Sequence, residues 1–207
     1  MHDRGWLPTN PSLAIKPPKV HDVPTLPFSA AEVKAVPAAC DSYPHKVNAR
    51  RLRALALLLR HSGLRITDVV TLRKQAIDSD GVFDAAHRKN GTEVRIPLPP
   101  QTIAALDDVA QPNGYFFWTG RGTKKSCVGD YQRAFKKLYK LVGVANGHAH
   151  RRRDTFSIEL LLAGVPIADV ATLLGHSSTK VTEKHYSPWV AARQERLEST
   201  VRATFKS

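Results

Sequence analysis

Cysteine, acidic side chains and long apolar runs are all scarce in this 207-residue chain. The two cysteines, Cys40 and Cys127, fall in no motif spacing, so they indicate neither a disulfide framework nor a zinc site. No apolar run approaches membrane-spanning length, and the N-terminus lacks a signal-peptide pattern. By default, these absences predict a reducing, cytoplasmic setting and no membrane partner.

Basic side chains, in contrast, are abundant. Lysine and arginine number 31 against 18 aspartate and glutamate, a formal net charge of +13. An excess of this size is typical of proteins with a polyanionic partner, and nucleic acid is the commonest such partner. A merely basic surface is the alternative that charge alone leaves open. The apolar content of 42% is that of a globular chain, and the length suits one domain with an arm.

The proline distribution separates an arm from a folded body. Residues 1–27 hold six of the fourteen prolines and show no periodicity. Proline fixes φ and removes a backbone donor, so we expect an extended linker there.

Helical patterns fill most of the remaining chain. The first helix has a capping box from Ser29 to Glu32, and Pro37 should end or kink it. Further helices are predicted at 47–62, closed by Gly63, and at 67–72, 101–109, 128–142, 150–163, 166–174, 179–185 and 189–204.

One short region has strand character instead. Asp80-Gly81 and Asn90-Gly91 are hairpin-turn signals, and they flank strand candidates at 82–87 and 93–98. A first strand near 76–78 would complete the sheet. The predicted fold class is mainly α (α+β), a helical domain with a small antiparallel three-stranded sheet.

The last third of the chain concentrates side chains that can perform chemistry. His150 and Arg153, three residues apart on a helix, share a face and can converge on one ligand. This pair is weak evidence alone, and His148 is a rival that only the following Thr155-Phe156 disfavours.

A histidine and a tyrosine follow at a fixed separation. Leu174-Gly175-His176 can be explained as a helix stopped by a glycine C-cap with a leftover histidine. That explanation does not account for Tyr186, ten residues later. Tyr186 stands among Lys184, His185 and Ser187, a polar setting that predicts an accessible phenol.

Two further basic residues complete a pattern. Arg65 lies in Ser62-Gly63-Leu64-Arg65-Ile66-Thr67-Asp68, and Lys89 lies at the predicted hairpin turn, with Arg88 as its rival. Together with the later motifs, this order resembles the catalytic domain of the tyrosine recombinases, the family of phage integrases and Xer-like enzymes. The residues that carry the resemblance are Arg65, Lys89, His150, Arg153, His176 and Tyr186.

The resemblance implies a metal-free and cofactor-free reaction. Tyr186 would attack a scissile phosphate, giving a 3′-phosphotyrosine and a free 5′-hydroxyl, and strands would be rejoined without ATP. Arg65 and Arg153 would hold the phosphate oxygens, since guanidinium is a planar donor that stays charged. His176 would add a hydrogen bond, while His150 would accept the phenol proton and Lys89 would protonate the leaving oxygen.

The resemblance also implies partners and a domain order. Double-stranded DNA would be the substrate, bound by a homo-oligomer that forms a tetrameric synapse. Residues 28–188 would form the catalytic domain, and 1–27 would be the linker to a DNA-clamping domain that is absent here. Residues 189–207 form a last helix with Val190, Leu197, Val201 and Phe205 on one side. This helix packs on its own domain or docks on a neighbouring protomer.

Three alternatives to a recombinase are open on sequence grounds. A non-catalytic DNA-binding module and a type IB topoisomerase share the basic charge and part of the motif. A metal-dependent nuclease that uses His148 and His150 is disfavoured, because no acidic cluster accompanies them. Asp154 is a departure from the family pattern, since many members have another histidine at that position.

Overall fold

A computed structural model of the chain describes residues 26–44, 46–84, 94–176 and 178–205. The proline-rich arm, apart from its last two residues, lies outside this range. The predicted hairpin turn with Arg88 and Lys89 also lies outside it.

Eight α-helices make up most of the described residues, as predicted. Local sequence sets several of their starts: Ser29 caps the first helix through the predicted box with Glu32, and Thr123 accepts a hydrogen bond from the Ser126 amide. The Thr123 cap makes the fifth helix begin four residues before the predicted start. The helices are α1 (Ala30–Ala39), α2 (Lys46–Ser62), α3 (Ile66–Val70), α4 (Pro100–Asp107), α5 (Lys124–Leu141), α6 (Ala149–Ala163), α7 (Ile167–Leu174) and α8 (Thr179–Thr204).

Two prolines interrupt the chain less than we expected. Helix α1 continues to Ala39, two residues beyond Pro37. The two helices predicted at 179–185 and 189–204 are one helix, α8, which passes through Pro188. A proline inside a helix removes only one backbone donor, and the helix on both sides can outweigh that loss.

The sheet is smaller than predicted. Strands β1 (Val82–Asp84) and β2 (Arg95–Pro97) pair antiparallel, with Phe83 opposite Ile96. The expected first strand is reduced to one isolated bridge between Ile77 and Phe83. The chain turns immediately after it, because Asp78 Oδ1 accepts from the backbone amides of Asp80 and Val82. The segment is therefore too short to form a third strand.

Two apolar clusters hold the fold together. The larger one, the α2 core, surrounds the buried leucines of α2 and includes Phe83, Ile96, Phe135 and Leu138. The smaller one, the α8 cluster, is formed by Ile158, Leu161, Val170, Leu174 and Tyr186 from α6, α7 and α8. Helix α6 contacts both groups. Each buried leucine or phenylalanine contributes roughly 1.5–3 kcal/mol by leaving water.

The end of α8 does not pack on its own domain. Leu197, Val201 and Phe205 are 44%, 53% and 75% exposed. Of the two arrangements expected for this helix, packing on its own domain is therefore wrong for these three residues. Within the described ranges, no helix is both long and apolar enough to cross a bilayer.

Candidate active site

Arg153 is the structural centre of the candidate site. It lies in the second turn of α6 and is only 2% exposed. Its Nη1 donates to the Gly63 carbonyl at 2.7 Å, and its Nη2 donates to the Leu174 carbonyl at 2.7 Å and to His176 Nε2 at 2.9 Å. These bonds tie the corner between α2 and α3 to the end of α7. A guanidinium supplies this geometry because its five donors form a rigid fork.

His176 has a defined tautomer in this arrangement. A guanidinium has no acceptor, so Nε2 of His176 must accept the bond from Arg153. Nδ1 then carries the hydrogen and donates to Thr182 Oγ1 at 2.8 Å. Gly175, with φ of 65°, makes the turn that brings the His176 amide to the Ala171 carbonyl. His176 is therefore held on both ring nitrogens.

An open cleft of about 620 Å³ lies beside this pair. Arg65, the N-cap residue of α3, is exposed at one wall, and His148 and His150 lie at the start of α6. The wall also includes Lys136 of α5. The cleft thus presents cationic and imidazole groups on an accessible surface, which is the electrostatic character that a phosphate requires.

Both cleft histidines are held toward their neutral forms. Partial burial lowers the pKa of His150; Asp154 opposes this shift, and Arg153, His148 and Arg65 add to it. Partial burial likewise lowers the pKa of His148, with Asp154 again opposing. A cation loses more by desolvation than a neutral ring does. Near neutral pH, His150 therefore has a free lone pair that can accept a proton.

Tyr186 is buried, and the expectation of an accessible phenol is wrong for this structure. The residue is 4% exposed, packs edge-on against Trp189 and donates from Oη to Asp154 Oδ1 at 2.9 Å. Burial, together with the Asp154 charge, raises the pKa of the Tyr186 phenol above its ordinary value. The polar neighbours in sequence misled the prediction, because the helix turns position 186 toward α6 and α7.

Asp154 connects the phenol to the cleft. Its Oδ1 accepts from Tyr186 and lies 3.8 Å from His150 Nε2. The residue is 6% exposed, and its Oδ2 has no hydrogen-bond partner among the described residues. Asp154, which departs from the family pattern, therefore contacts the phenol of Tyr186 directly.

The structure brings five of the six predicted site residues into one region. Arg65 and His150 line the cleft, Arg153 and His176 are bonded to each other, and Tyr186 joins them through its hydrogen bond to Asp154. Lys89, the sixth, lies outside the described residues. Within the described ranges, no three metal-ligating side chains come together.

Sequence reasoning missed three contributors to the site. Asp154 was noted only as a departure, the Thr182 hydroxyl was not noted, and the Gly63 carbonyl was considered only as a helix end. Gly63 has φ of +60°, and an added Cβ would lie 2.4 Å from Phe156 Cδ1. The sequence signal for Gly63 was its place between a helix and Arg65, whereas Thr182 gave none.

With this geometry in place, comparison with known proteins is decisive. The sequence profile of the phage integrase family matches residues 28–190. The chain belongs to the phage integrase family. Tyrosine recombinase XerC of Xanthomonas campestris pv. campestris (strain B100) is 27% identical over 185 residues, which covers 86% of this chain and 56% of XerC. The chain thus spans little more than half the length of that family member.

Solved structures of the family share the fold. The crystal structure of XerA recombinase matches with a TM-score of 0.67 at 20% identity, covering 90% of this chain and 67% of XerA. XerH site-specific recombinase bound to difH substrate matches with a TM-score of 0.63 at 16% identity, covering 77% of this chain and 49% of XerH. The mainly helical recombinase fold predicted from the sequence is confirmed.

Proposed function

We propose that this chain is the catalytic part of a site-specific recombinase that breaks and rejoins double-stranded DNA through Tyr186. The observation that carries the proposal is the convergence on Arg153. Arg153 is bonded to His176, Arg65 and His150 line the basic cleft, and the Tyr186 hydroxyl is bonded to Asp154, the residue after Arg153. Membership of the phage integrase family supports the same reaction.

The arginines and His176 would bind the scissile phosphate. Arg65 is exposed in the cleft, and Arg153 is fixed by two backbone carbonyls, so neither charge has to be assembled during the reaction. Preorganised donors stabilise a transition state because they do not reorganise as charge develops, and each contributes about 3–4 kcal/mol. To bind a phosphate oxygen, His176 would give up its bond with Arg153 and switch tautomer, so that Nδ1 accepts from the Thr182 hydroxyl and Nε2–H donates to the phosphate.

Tyr186 would be the nucleophile, and it has to move before it can attack. Its phenol is 4% exposed and bonded to Asp154, so DNA binding has to draw it toward the cleft. A phenol attacks well only as its proton leaves. Attack would leave the phosphate on Tyr186 and free a 5′-oxygen, whose proton donor by family resemblance is Lys89. The phosphotyrosine bond retains the energy needed for rejoining, so no ATP is required.

Two kinds of partner follow from the proposal. The charge of +13 suits duplex DNA, and the similar XerH structure is a complex with difH substrate. The second partner would be another copy of the chain. Leu197, Val201 and Phe205 recur every four residues along the exposed end of α8, which forms an apolar row able to dock on a neighbouring protomer.

The test is capture of a covalent protein–DNA adduct without metal. The chain is incubated in EDTA with a randomised pool of short duplexes, each interrupted in one strand so that a cleaved end diffuses away. Denaturing gels then separate protein that remains attached to DNA. We expect an adduct from the unaltered chain and none from Tyr186→Phe, because the variant lacks the attacking oxygen.

Tyr131→Phe is the matched control. Its hydroxyl donates to the Phe117 carbonyl in the α2 core, away from the cleft, so the adduct should persist. An adduct that survives in Tyr186→Phe would contradict the proposal. DNA binding in a gel-shift assay without any adduct from the unaltered chain would also contradict it, and would indicate a non-catalytic DNA-binding module.

A further inference from the structure

We propose that Asp154 is a catalytic residue that takes the proton of Tyr186 as the phenol attacks. This inference rests on the proposed function and adds a group to its machinery. By family resemblance, His150 alone would accept this proton. In the structure, however, Asp154 rather than His150 accepts a hydrogen bond from the phenol.

The first argument is distance. Asp154 Oδ1 accepts the Tyr186 hydroxyl at 2.9 Å, which is the separation that direct proton transfer needs, and the proposed step requires that Tyr186 keeps this contact as it moves toward the cleft. His150 Nε2 approaches that same oxygen at 3.8 Å, and the His150 side chain is 59% exposed. His150 is therefore placed to support Asp154 and to pass a proton toward solvent.

The second argument is the burial of an ionisable group without a strong cationic partner. Asp154 is 6% exposed, and the basic side chain that approaches its Oδ1, His150 at 3.8 Å, is held toward its neutral form. Its Oδ2 has no hydrogen-bond partner in the same range. A buried carboxylate in this state is unfavourable for folding unless it is paired and bonded. Its presence beside the nucleophile is explained by a function at that position.

The proposed step balances in atoms and electrons. The Tyr186 Oη–H bond breaks and its proton passes to Asp154 Oδ1, while the Oη–phosphorus bond forms. The phosphorus–5′-oxygen bond breaks, and its electron pair stays on the leaving oxygen, which takes a proton from the acid that the resemblance assigns to Lys89. In rejoining, protonated Asp154 returns its proton to the phenolate oxygen of Tyr186.

Several charged groups surround this proton path. From α6, His148, His150 and Arg153 face it; from the corner between α2 and α3, Arg65 faces it; and Tyr186 itself comes from α8. Arginine charges therefore lie near the phenol, and both histidines are held toward their neutral forms.

The experiment measures single-turnover adduct formation with the interrupted duplex that the unaltered chain cleaves. Asp154→Asn keeps the side-chain shape but cannot take a proton, and we expect the rate to fall about 100-fold or more. Glu159→Gln is the matched control, since it makes the same chemical change on α6 at the ion pair with Arg60. Its rate should equal that of the unaltered chain.

Two chemical changes, one in the tyrosine and one in the DNA substrate, distinguish base catalysis by Asp154 from a structural role. Fluorotyrosine at position 186 has a more acidic phenol, so it should restore much of the rate lost in Asp154→Asn. A substrate with bridging sulfur in place of the 5′-oxygen has a leaving group that needs no proton. It should rescue Lys89→Ala but leave Asp154→Asn slow.

Fluorine NMR of the same fluorotyrosine chain checks the contact without DNA. The phenol should titrate at lower pH in Asp154→Asn than in the chain with Asp154, because the neighbouring negative charge is gone. Identical titrations would overturn the proposal.

A rate in Asp154→Asn at or above that of the unaltered chain would also overturn the proposal, and would identify the contact as a restraint on Tyr186. A defect that bridging sulfur repairs, or that fluorotyrosine leaves unchanged, would overturn it as well. Failure of the proposed function looks different, because the unaltered chain itself would then form no adduct.

Discussion

The α2 core and the α8 cluster differ in size and in what they hold. The α2 core gathers apolar side chains from α1 to α5 and both strands, and Arg65 stands on its edge. The α8 cluster has few buried apolar residues, and Tyr186 is one of them. Arg65, one of the groups proposed to hold a phosphate, thus stands at the edge of the larger core, whereas Tyr186, the proposed nucleophile, belongs to the smaller cluster.

Polar contacts connect the two regions. Arg153 bonds to the Gly63 carbonyl beside the α2 core and to the Leu174 carbonyl in the α8 cluster. Regions with little buried apolar surface open at lower free energy than large cores do. The comparison teaches that, if Tyr186 is the nucleophile as proposed, it is held by the cluster that should open at the lower free energy.

Two leucine truncations test this difference most strongly. Leu58 in the α2 core and Leu174 in the α8 cluster are both fully buried. Leu58→Ala should lower the free energy of unfolding by about 3–5 kcal/mol, and Leu174→Ala by about 2–3 kcal/mol because the smaller cluster can collapse around the cavity. Chemical denaturation measures both changes.

Hydrogen exchange of the α8 amides sharpens the same comparison. Leu174→Ala should speed exchange in α8 more than in α2, whereas Leu58→Ala should affect both through global unfolding. Equal losses of stability and an unchanged exchange pattern would mean that the two clusters unfold as a single unit.

A pair of glycines tests the junction between the regions. Gly63 and Gly143 have φ of +60° and +67°, but an added Cβ meets Phe156 only at Gly63. Gly143→Ala should cost about 1–2 kcal/mol for its backbone conformation alone. Gly63→Ala should cost about 1–3 kcal/mol more, since the overlap has to be relieved. Thermal unfolding of both variants gives the difference.

Gly63→Ala should also slow adduct formation, because the Gly63 carbonyl positions Arg153. Gly143→Ala, whose added Cβ would meet no atom within 4 Å, should leave the rate unchanged. Equal stability losses in the two variants would show that Phe156 moves freely, and that the junction does not constrain Arg153.

Local sequence signals predicted the parts of the site that depend on one helix or one turn. His150 and Arg153 share a face of α6 because of helical spacing, and Gly175 ends α7 as a C-cap. The burial of Tyr186 was not predictable in this way. Its environment depends on which side of α8 faces α6 and α7, and tertiary packing decides that.

The contact of Asp154 and the extent of the sheet were also not predictable from local sequence patterns. Asp154 was visible as an unusual residue, but its contact with Tyr186 joins positions 32 residues apart. A first strand was predicted near 76–78, before the Asp80-Gly81 turn signal, yet the Asp78 carboxylate bends the chain before a ladder can form. Long-range contacts and side chains that bond their own backbone are therefore where sequence patterns fail.

The smallest expected effect is the pH dependence of stability, which again compares the two regions. Burial lowers the pKa of His61 in α2, with Arg60 adding to the shift, and burial also lowers the pKa of His150 at the cleft. A histidine whose pKa is lowered on folding binds fewer protons in the folded state than in the unfolded chain. Stability is then complete above the unfolded pKa of about 6.5 and declines as pH falls below it.

Substituting one histidine at a time assigns this decline to a region. His61→Asn keeps an amide where Nδ1 contacts the Thr102 hydroxyl, and His150→Gln places an amide near the position of Nε2. In each variant, the melting temperature should decrease less between pH 7 and pH 5 than it does in the unaltered chain. His61→Asn should have this effect without changing adduct formation at pH 7. If neither variant flattens the fall, carboxylates rather than histidines control the acid stability of both regions.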